Sequence, residues 1–270
     1  MSNEIFAGAG KRTLLCECTA ATFAAADTVS LEFLWTGPAP RAGQFFLVKP
    51  RRTGVFLGRP ISVAGWDAAS GTLRFLVARR GRGSSDIADI QSGEKAYLIG
   101  PLGNYWAEVN IFAGVPPQKK PIALVGGGIG IAPLLAFAGE LLAVPQKPVP
   151  FDFYAGFRSA SFGLENLKTQ GLDTLVIASE DGSEGQKGRV TDFLNPAQYS
   201  AIFACGPEPM FKALGGACAA SGISCFVSLE KHMACGVGAC RGCTIKTMNG
   251  NRRCCADGPI FNAGELCFDE

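Results

Sequence analysis

The clearest chemical signal lies near the C-terminus, in Cys235-Gly236-Val237-Gly238-Ala239-Cys240-Arg241-Gly242-Cys243, with C-x4-C-x2-C spacing. That spacing is the ligand run of a plant-type 2Fe–2S cluster. Three thiolates must wrap a small inorganic core, so the loop has to curl tightly. Gly236, Gly238 and Gly242 permit the curl and let backbone N–H groups point at sulfur, which raises the reduction potential and offsets buried negative charge. A fourth thiolate is required, and the candidates are adjacent, Cys254 and Cys255. Zinc held by four thiolates is the competing reading, but such sites usually show two C-x2-C-like knuckles and only one is present. The single histidine, His232, excludes a Rieske centre, which takes two histidine ligands, and argues against a histidine-rich zinc site. With four thiolates available, His232 reads as a packing or surface residue.

Three further segments carry residues suited to phosphates and nucleotides. Val125-Gly126-Gly127-Gly128-Ile129-Gly130-Ile131-Ala132-Pro133-Leu134 sits between a predicted strand and a predicted helix. A helix N-terminus there presents free N–H groups to a phosphate, glycines let the backbone approach it, and Pro133 suits the first helical turn. The run departs from the strict G-x-G-x-x-G fingerprint, and a tight strand–helix turn would also account for it. Arg59-Pro60-Ile61-Ser62 offers a guanidinium for a pyrophosphate and a hydroxyl for a flavin; Gly81-Arg82-Gly83-Ser84 offers N–H donors to the same pyrophosphate. Either tetrapeptide alone also fits a surface turn. Cys205-Gly206-Pro207-Glu208-Pro209-Met210 falls at the carboxyl end of a predicted sheet, where open α/β folds bind ligands. Cys205 and Gly206 are therefore candidates to face a nicotinamide, against the plainer reading of a buried cysteine beside a helix start.

The elements that must hold these groups are legible in outline. Short β-rich segments at 13–19, 28–34, 44–48, 61–65, 72–78 and 95–99, separated by Gly/Pro turns, predict a six-stranded antiparallel barrel. Residues 115–121 read as a linker. Beyond it, buried strands at 122–125, 151–154, 174–178 and 201–204 alternate with helices at 132–143 and 208–220, which predicts a parallel sheet. The expected division is therefore a barrel over 1–117, an α/β nucleotide domain over 118–225 and a small cysteine-rich module over 226–270.

Composition is consistent with this. The 270 residues divide into about two domains by length. Charged residues are 18% and hydrophobic ones 47%, so a real core can form. The 25 basic and 23 acidic side chains leave +2, which argues against a nucleic-acid surface. Neither a membrane-length apolar run nor a signal-peptide pattern is expected, which points to the cytosol, where thiols stay reduced. Cys16, Cys18, Cys218, Cys225 and Cys267 then read as reduced, partly buried small hydrophobes.

The order R-P-x-S, G-x-G-S, G-G-G-x-G-x-A-P-L, C-G-P-x-P-M resembles the ferredoxin–NADP reductase superfamily. The run 228–240, followed by Arg253-Cys254-Cys255-Ala256-Asp257-Gly258-Pro259-Ile260-Phe261, is similar to the electron-transfer subunits of class 1B, NAD-dependent dihydroorotate dehydrogenases. The specific part is the short gap between third and fourth ligand, since plant-type ferredoxin domains place the fourth cysteine much further on. The resemblance implies FAD on the barrel, NAD as substrate on the α/β domain and a 2Fe–2S cluster in the last module. It also implies a separate FMN-containing subunit that oxidises dihydroorotate in pyrimidine biosynthesis, in a heterotetramer of two plus two. Electrons would pass from FMN through the cluster to FAD and leave as hydride on NAD.

Carried over by motif, Arg59, Pro60, Ile61 and Ser62 would meet the flavin, Gly83 and Ser84 its pyrophosphate, and Val77 and Arg79 would lie on the strand beside it. Gly127, Gly128, Gly130, Asp181, Cys205 and Gly206 would face the nucleotide. The fourth ligand of the family immediately precedes x-D-G-P, which selects Cys255 and leaves Cys254 in the place of an apolar residue. Arg158-Ser159 can read a 2′-phosphate and so favour NADP, whereas the resemblance implies NAD. Two competing functions are a related ferredoxin- or sulfide-linked reductase subunit and a redox-sensing binding module.

Overall fold

A computed structural model of the chain describes residues 4–8, 11–52, 54–107, 120–143, 149–169, 172 and 174–268. The expected linker lies outside them as far as residue 119. The first half builds β1 (Glu4–Gly8), β2 (Lys11–Ala25), β3 (Thr28–Leu34), β4 (Phe45–Pro50), β5 (Arg59–Asp67), β6 (Thr72–Ala78), α1 (Arg82–Ala88) and β7 (Lys95–Leu102). Antiparallel pairing runs β2-β3-β6-β5-β4-β7 and returns from β7 to β2, closing the six-stranded barrel, with β1 added on β2. Closure leaves no open edge in the ring. Its interior is aromatic: Trp35 meets Phe46 edge-on with centroids 4.9 Å apart, and Phe46 meets Phe75 at 5.7 Å. Such pairs add about 0.5–1.5 kcal/mol each beyond the area they bury.

Two barrel strands match the sequence-based limits, 28–34 and 72–78. β2 runs on to Ala25, because the Ala-rich stretch after residue 19 pairs with β3 although it carries little apolar alternation. Helix α1 was not expected, since Gly81 and Gly83 read as turn residues; Gly81 instead stands at its N-cap.

The second half contains β8 (Ile122–Gly127), α2 (Ile131–Ala143), β9 (Phe151–Phe157), α3 (Glu165–Thr169), β10 (Thr174–Ser179), β11 (Gln186–Lys187), β12 (Ala201–Cys205), α4 (Glu208–Ser221) and β13 (Ser224–Ser228). These strands are parallel, in the order β11-β10-β9-β8-β12-β13. β8 and β12 are buried almost residue for residue, as central parallel strands covered on both faces must be. The cysteine-rich segment then forms the hairpin β14 (Thr244–Thr247) and β15 (Gly250–Arg253), the single turn α5 (Cys254–Asp257) and β16 (Ile260–Asn262). β16 returns to pair antiparallel with β13 as the seventh strand of the sheet. The sheet thus runs across residue 225, where the sequence places a division between units.

Barrel and sheet share one apolar core that includes Phe46 and Phe75 of the barrel and Leu134 and Phe137 of α2. Trp106 lies at the seam, stacked on Phe137 at 5.9 Å and edge-on to Phe203 at 5.7 Å. Among the described residues, no helix is long and apolar enough to cross a membrane.

Candidate cofactor sites

Left-handed backbone supplies the curl of the cysteine loop. Gly236 has φ +67°, Gly238 +83°, and Arg241, not a glycine, +58°. The curl turns N–H groups onto sulfur: Gly238 donates to Cys255 Sγ at 3.2 Å, Cys240 to Cys235 Sγ at 3.4 Å and Cys255 to Cys243 Sγ at 3.4 Å. Cys235 lies beside Cys240, and Cys243 beside Cys255. Among the described residues no three ligating side chains gather round one ion position. Two neighbouring pairs are the arrangement a two-iron core takes, two thiolates to each iron.

Adjacent residues on a helical turn point about 100° apart, and α5 uses this to separate its two cysteines. Cys255 faces Cys243, while Cys254 Sγ donates to the carbonyl of Leu229 at 3.4 Å and is fully buried among Phe45, Leu47 and Phe261. Arg253 pins the arrangement. Its N–H and Nε bond Asp257 Oδ2 at 2.7 and 3.1 Å, a second guanidinium nitrogen bonds Oδ1 at 2.9 Å, and a third bonds the carbonyl of Gly238 at 3.3 Å.

As free thiols these groups differ. Burial raises Cys235, but N–H bonds from Cys240, Val237 and Ala239 outweigh it and hold it at about 6. Burial, then the Cys243 thiol, pushes Cys255 up to about 12; burial, then the nearby Cys243 and Cys255, does the same for Cys254.

The flavin-type motifs meet. Arg59 opens β5 and Gly83 lies in the first turn of α1; a Cβ on Gly83 would sit 2.6 Å from Arg59 Cζ. A bare backbone against a guanidinium is a cradle that fits a pyrophosphate. The Ser84 hydroxyl closes its own turn, accepting from the N–H groups of Arg80 and Gly81 at 2.9 and 3.1 Å. Arg79 turns to α1, bonding Asp89 at 2.6 Å and the Ala88 carbonyl at 3.3 Å, and Val77 is buried inside the barrel. Pro60, Ile61 and Ser62 are half-buried along β5, where Ser62 pairs with Phe45 of β4.

The nucleotide-type loops also converge. Gly128 has φ +56° with open space where a side chain would stand. A Cβ on Gly130 would lie 2.7 Å from the nitrogen of Gly206, and one on Gly127 2.8 Å from Pro207 Cδ, so the two loops are in backbone contact. Cys205 is buried below them, its thiol held well above the usual range by burial and the charge of Glu230, with the Ser228 hydroxyl opposing. Asp181 lies at the same end of the sheet, its N–H on the Arg158 carbonyl at 3.2 Å. The Ser183 hydroxyl and N–H hold its carboxyl below the usual carboxylate range. A cleft of about 540 Å³ runs from Gly206 and Pro207 past Glu230 and Lys231 to Lys246 in the hairpin.

Cys16, Cys18, Cys218 and Cys225 are buried and reduced; Cys218 and Cys225, which show no pattern in sequence, lie in one buried cluster. Cys267 is exposed rather than partly buried, because it follows the last packed turn of the chain. His232 is exposed. Sequence reasoning missed Glu140 and Trp106, which join α2 to the barrel across distances that no local motif marks, and the Arg253–Asp257 pair, whose four-residue spacing on one helical turn is the signal that could have found it.

Paired thiolates beside a barrel and a sheet whose glycine loops leave room for phosphates describe an iron–sulfur reductase scaffold. The fold agrees: a chain of an NADH-dependent reduced ferredoxin-NADP oxidoreductase superposes with a TM-score of 0.78 at 24% identity, over 97% of this chain and 91% of that one. Residues 230–267 match the family described as the iron-sulfur cluster binding domain of dihydroorotate dehydrogenase B. The "Dihydroorotate dehydrogenase B (NAD(+)), electron transfer subunit" of Clostridium perfringens is 40% identical over 227 residues, 84% of this chain and 87% of that protein. Its counterpart in Clostridium acetobutylicum is 37% identical over 230 residues, covering 85% and 87%. The chain belongs to this family of electron-transfer subunits, which are oxidoreductases acting with a catalytic partner subunit.

Proposed function

We propose that the chain is the electron outlet of an NAD-dependent dihydroorotate dehydrogenase. A partner subunit with its own FMN oxidises dihydroorotate, and this chain takes up the electrons and passes them to NAD. Cys235, Cys240, Cys243 and Cys255 hold the 2Fe–2S cluster. Arg59 and the turn at Gly83 and Ser84 hold the FAD pyrophosphate, with Pro60, Ile61 and Ser62 along its strand, while Val77 and Arg79 support the turn from β6. Gly127, Gly128 and Gly130 take the NAD phosphates, with Asp181, Cys205 and Gly206 around the rest of the nucleotide. When bound, the cluster carries single electrons and the flavin exchanges hydride with a nicotinamide. The functional division is 1–117, 118–225 and 226–270, with β13 and β16 knitting the third unit to the second. A heterotetramer of two chains and two partners, in the cytosol, completes the reading.

The observation that carries it is the place of β4. On one side β4 pairs with the Arg59-to-Ser62 stretch of β5. Its Leu47 side chain also packs against the cysteine loop, with Leu47 Cδ1 2.8 Å from where a Gly236 Cβ would stand. Neighbouring strands lie about 4.8 Å apart, so the thiolates and the flavin motif are separated by little more than one strand. The chain's own residues thus bring the two groups close, with a single barrel strand between them.

The test uses the purified chain with its FAD. It should pass electrons from NADH to an artificial acceptor and make no orotate from dihydroorotate and NAD until an FMN-containing partner is added. Dihydroorotate oxidation needs a base to remove a carbon-bound proton and a second flavin. Robust orotate formation by the chain alone would overturn the reading.

A further inference from the structure

We propose that Glu140, with Trp106 as its second support, is a positioning residue that holds the nucleotide-binding sheet in alignment with the flavin-binding barrel. The proposal rests on the assignment of NAD to the sheet and FAD to the barrel given above. Helix α2 carries the Gly128–Gly130 turn at its N-terminus and runs 13 residues as one rigid rod. Whatever fixes this rod against the barrel fixes the nucleotide loop against the flavin motifs.

Two bonds do so. Near the C-terminal end of the rod, Glu140 Oε1 accepts the backbone N–H of Ala42 at 2.8 Å and Arg41 Nε at 3.4 Å. In its first turn, the Pro133 carbonyl accepts Trp106 Nε1 at 3.3 Å. The barrel side is itself joined, because the Trp106 N–H donates to the Ala42 carbonyl at 3.0 Å. Glu140, Ala42, Trp106 and Pro133 therefore form a ring of hydrogen bonds closed by the helix. Partners nearly a hundred residues apart make it a tertiary clamp rather than a local cap.

The seam needs such a clamp. Beside it barrel and helix part in a cleft of about 250 Å³, with Val63, Gly65 and Trp66 of β5 on one wall and Leu135 and Gly139 of α2 on the other. Glu140 lines this cleft and bridges it. Ala42 is almost fully buried, so removing the carboxylate strands its N–H, which is relieved by shifting the 41–42 turn, by tilting α2 or by water entering from the cleft. Hydride transfer is steeply sensitive to such shifts, an ångström of misplacement costing up to about a hundredfold.

The experiment compares the full chain, as isolated with its cofactors, with Glu140→Ala and Glu140→Gln. The glutamine keeps an oxygen for the Ala42 N–H. Amide hydrogen exchange followed by mass spectrometry reads the clamp itself; anaerobic flavin reduction by NADH and by NADH deuterated at C4, with NAD affinity, reads its consequence. In Glu140→Ala, exchange at residues 41–42 should quicken, flavin reduction should slow about ten- to hundredfold, and NAD affinity and FAD content should hold. Glu140→Gln should restore both exchange and rate. Wild-type flavin reduction in Glu140→Ala, or a glutamine variant as slow as the alanine one, would overturn the proposal. So would loss of FAD that accounts for the lost rate. If the unmodified chain fails to take electrons from NADH, the parent reading falls instead, while the exchange result still reports on the clamp.

Discussion

Gly130→Ala isolates the contact between the two nucleotide loops. A Cβ there would lie 2.5 Å from the carbonyl carbon of Cys205 and 2.7 Å from the nitrogen of Gly206, where ordinary contact begins at 3.4 Å. Both atoms are backbone, so no rotamer change relieves the clash; the 205–206 turn has to retreat by nearly an ångström. Overpacking of this kind costs about 1–3 kcal/mol of stability. An ångström at a reacting pair costs up to about a hundredfold in rate. NADH-dependent dye reduction should therefore fall about ten- to hundredfold, with a modest drop in melting temperature. Iron content and the reduced-state EPR signal should be unchanged, because neither loop touches the paired thiols. A variant that reduces dye at the wild-type rate would refute the reasoning, since the nucleotide would then not depend on this contact.

Other outcomes test the remaining assignments. Cys255→Ser should lose the cluster while Cys254→Ser keeps it, read by iron per chain and EPR; loss confined to the Cys254 variant would reverse the choice of fourth ligand. Arg59→Ala should shed FAD on gel filtration, because a charge-assisted bond of about 1.5–3 kcal/mol goes with it. Asp257→Asn should be less stable at neutral pH, by no more than about 1 kcal/mol given a partly exposed pair. The Arg253 bonds depress the Asp257 carboxyl, so its contribution is full above the ordinary aspartate value of about 3.9 and is lost as pH falls through the depressed one. Urea midpoints of wild type and variant, read by far-UV circular dichroism, should therefore differ at neutral pH and converge as pH falls through that depressed value.

Much of the architecture was legible because it rests on local periodicity. The apolar β-rich runs of β3 and β6 are bounded clearly enough for their limits to be read directly, and the continuous apolar runs of β8 and β12 announce a sheet covered on both faces. The spacing of Cys235, Cys240 and Cys243 was equally readable, since all three belong to one loop. What spacing does not carry is direction. Cys254 and Cys255 are neighbours in sequence, and only the turn of α5 sends one thiol to Leu229 and the other to Cys243. Helix α1 hid behind glycines that serve as cap and first turn. The Ser84 hydroxyl closes its own turn, a local bond that the motif does not announce. The join of α2 to the barrel left no trace because its partners lie far apart in the chain.

The return of β16 to the edge of β13 bears on how the molecule is made. The seventh strand of the nucleotide sheet is encoded beyond the cysteine loop, at Ile260–Asn262. During synthesis, β13 would leave the ribosome with one edge bare and acquire its neighbour only after all the thiolates had emerged. Metal-centre assembly and completion of the sheet therefore fall in the same late interval. A chain cut short before residue 255 would lack more than its redox centre. It would also display an unpaired strand edge, the kind of surface on which unfinished proteins stick to one another.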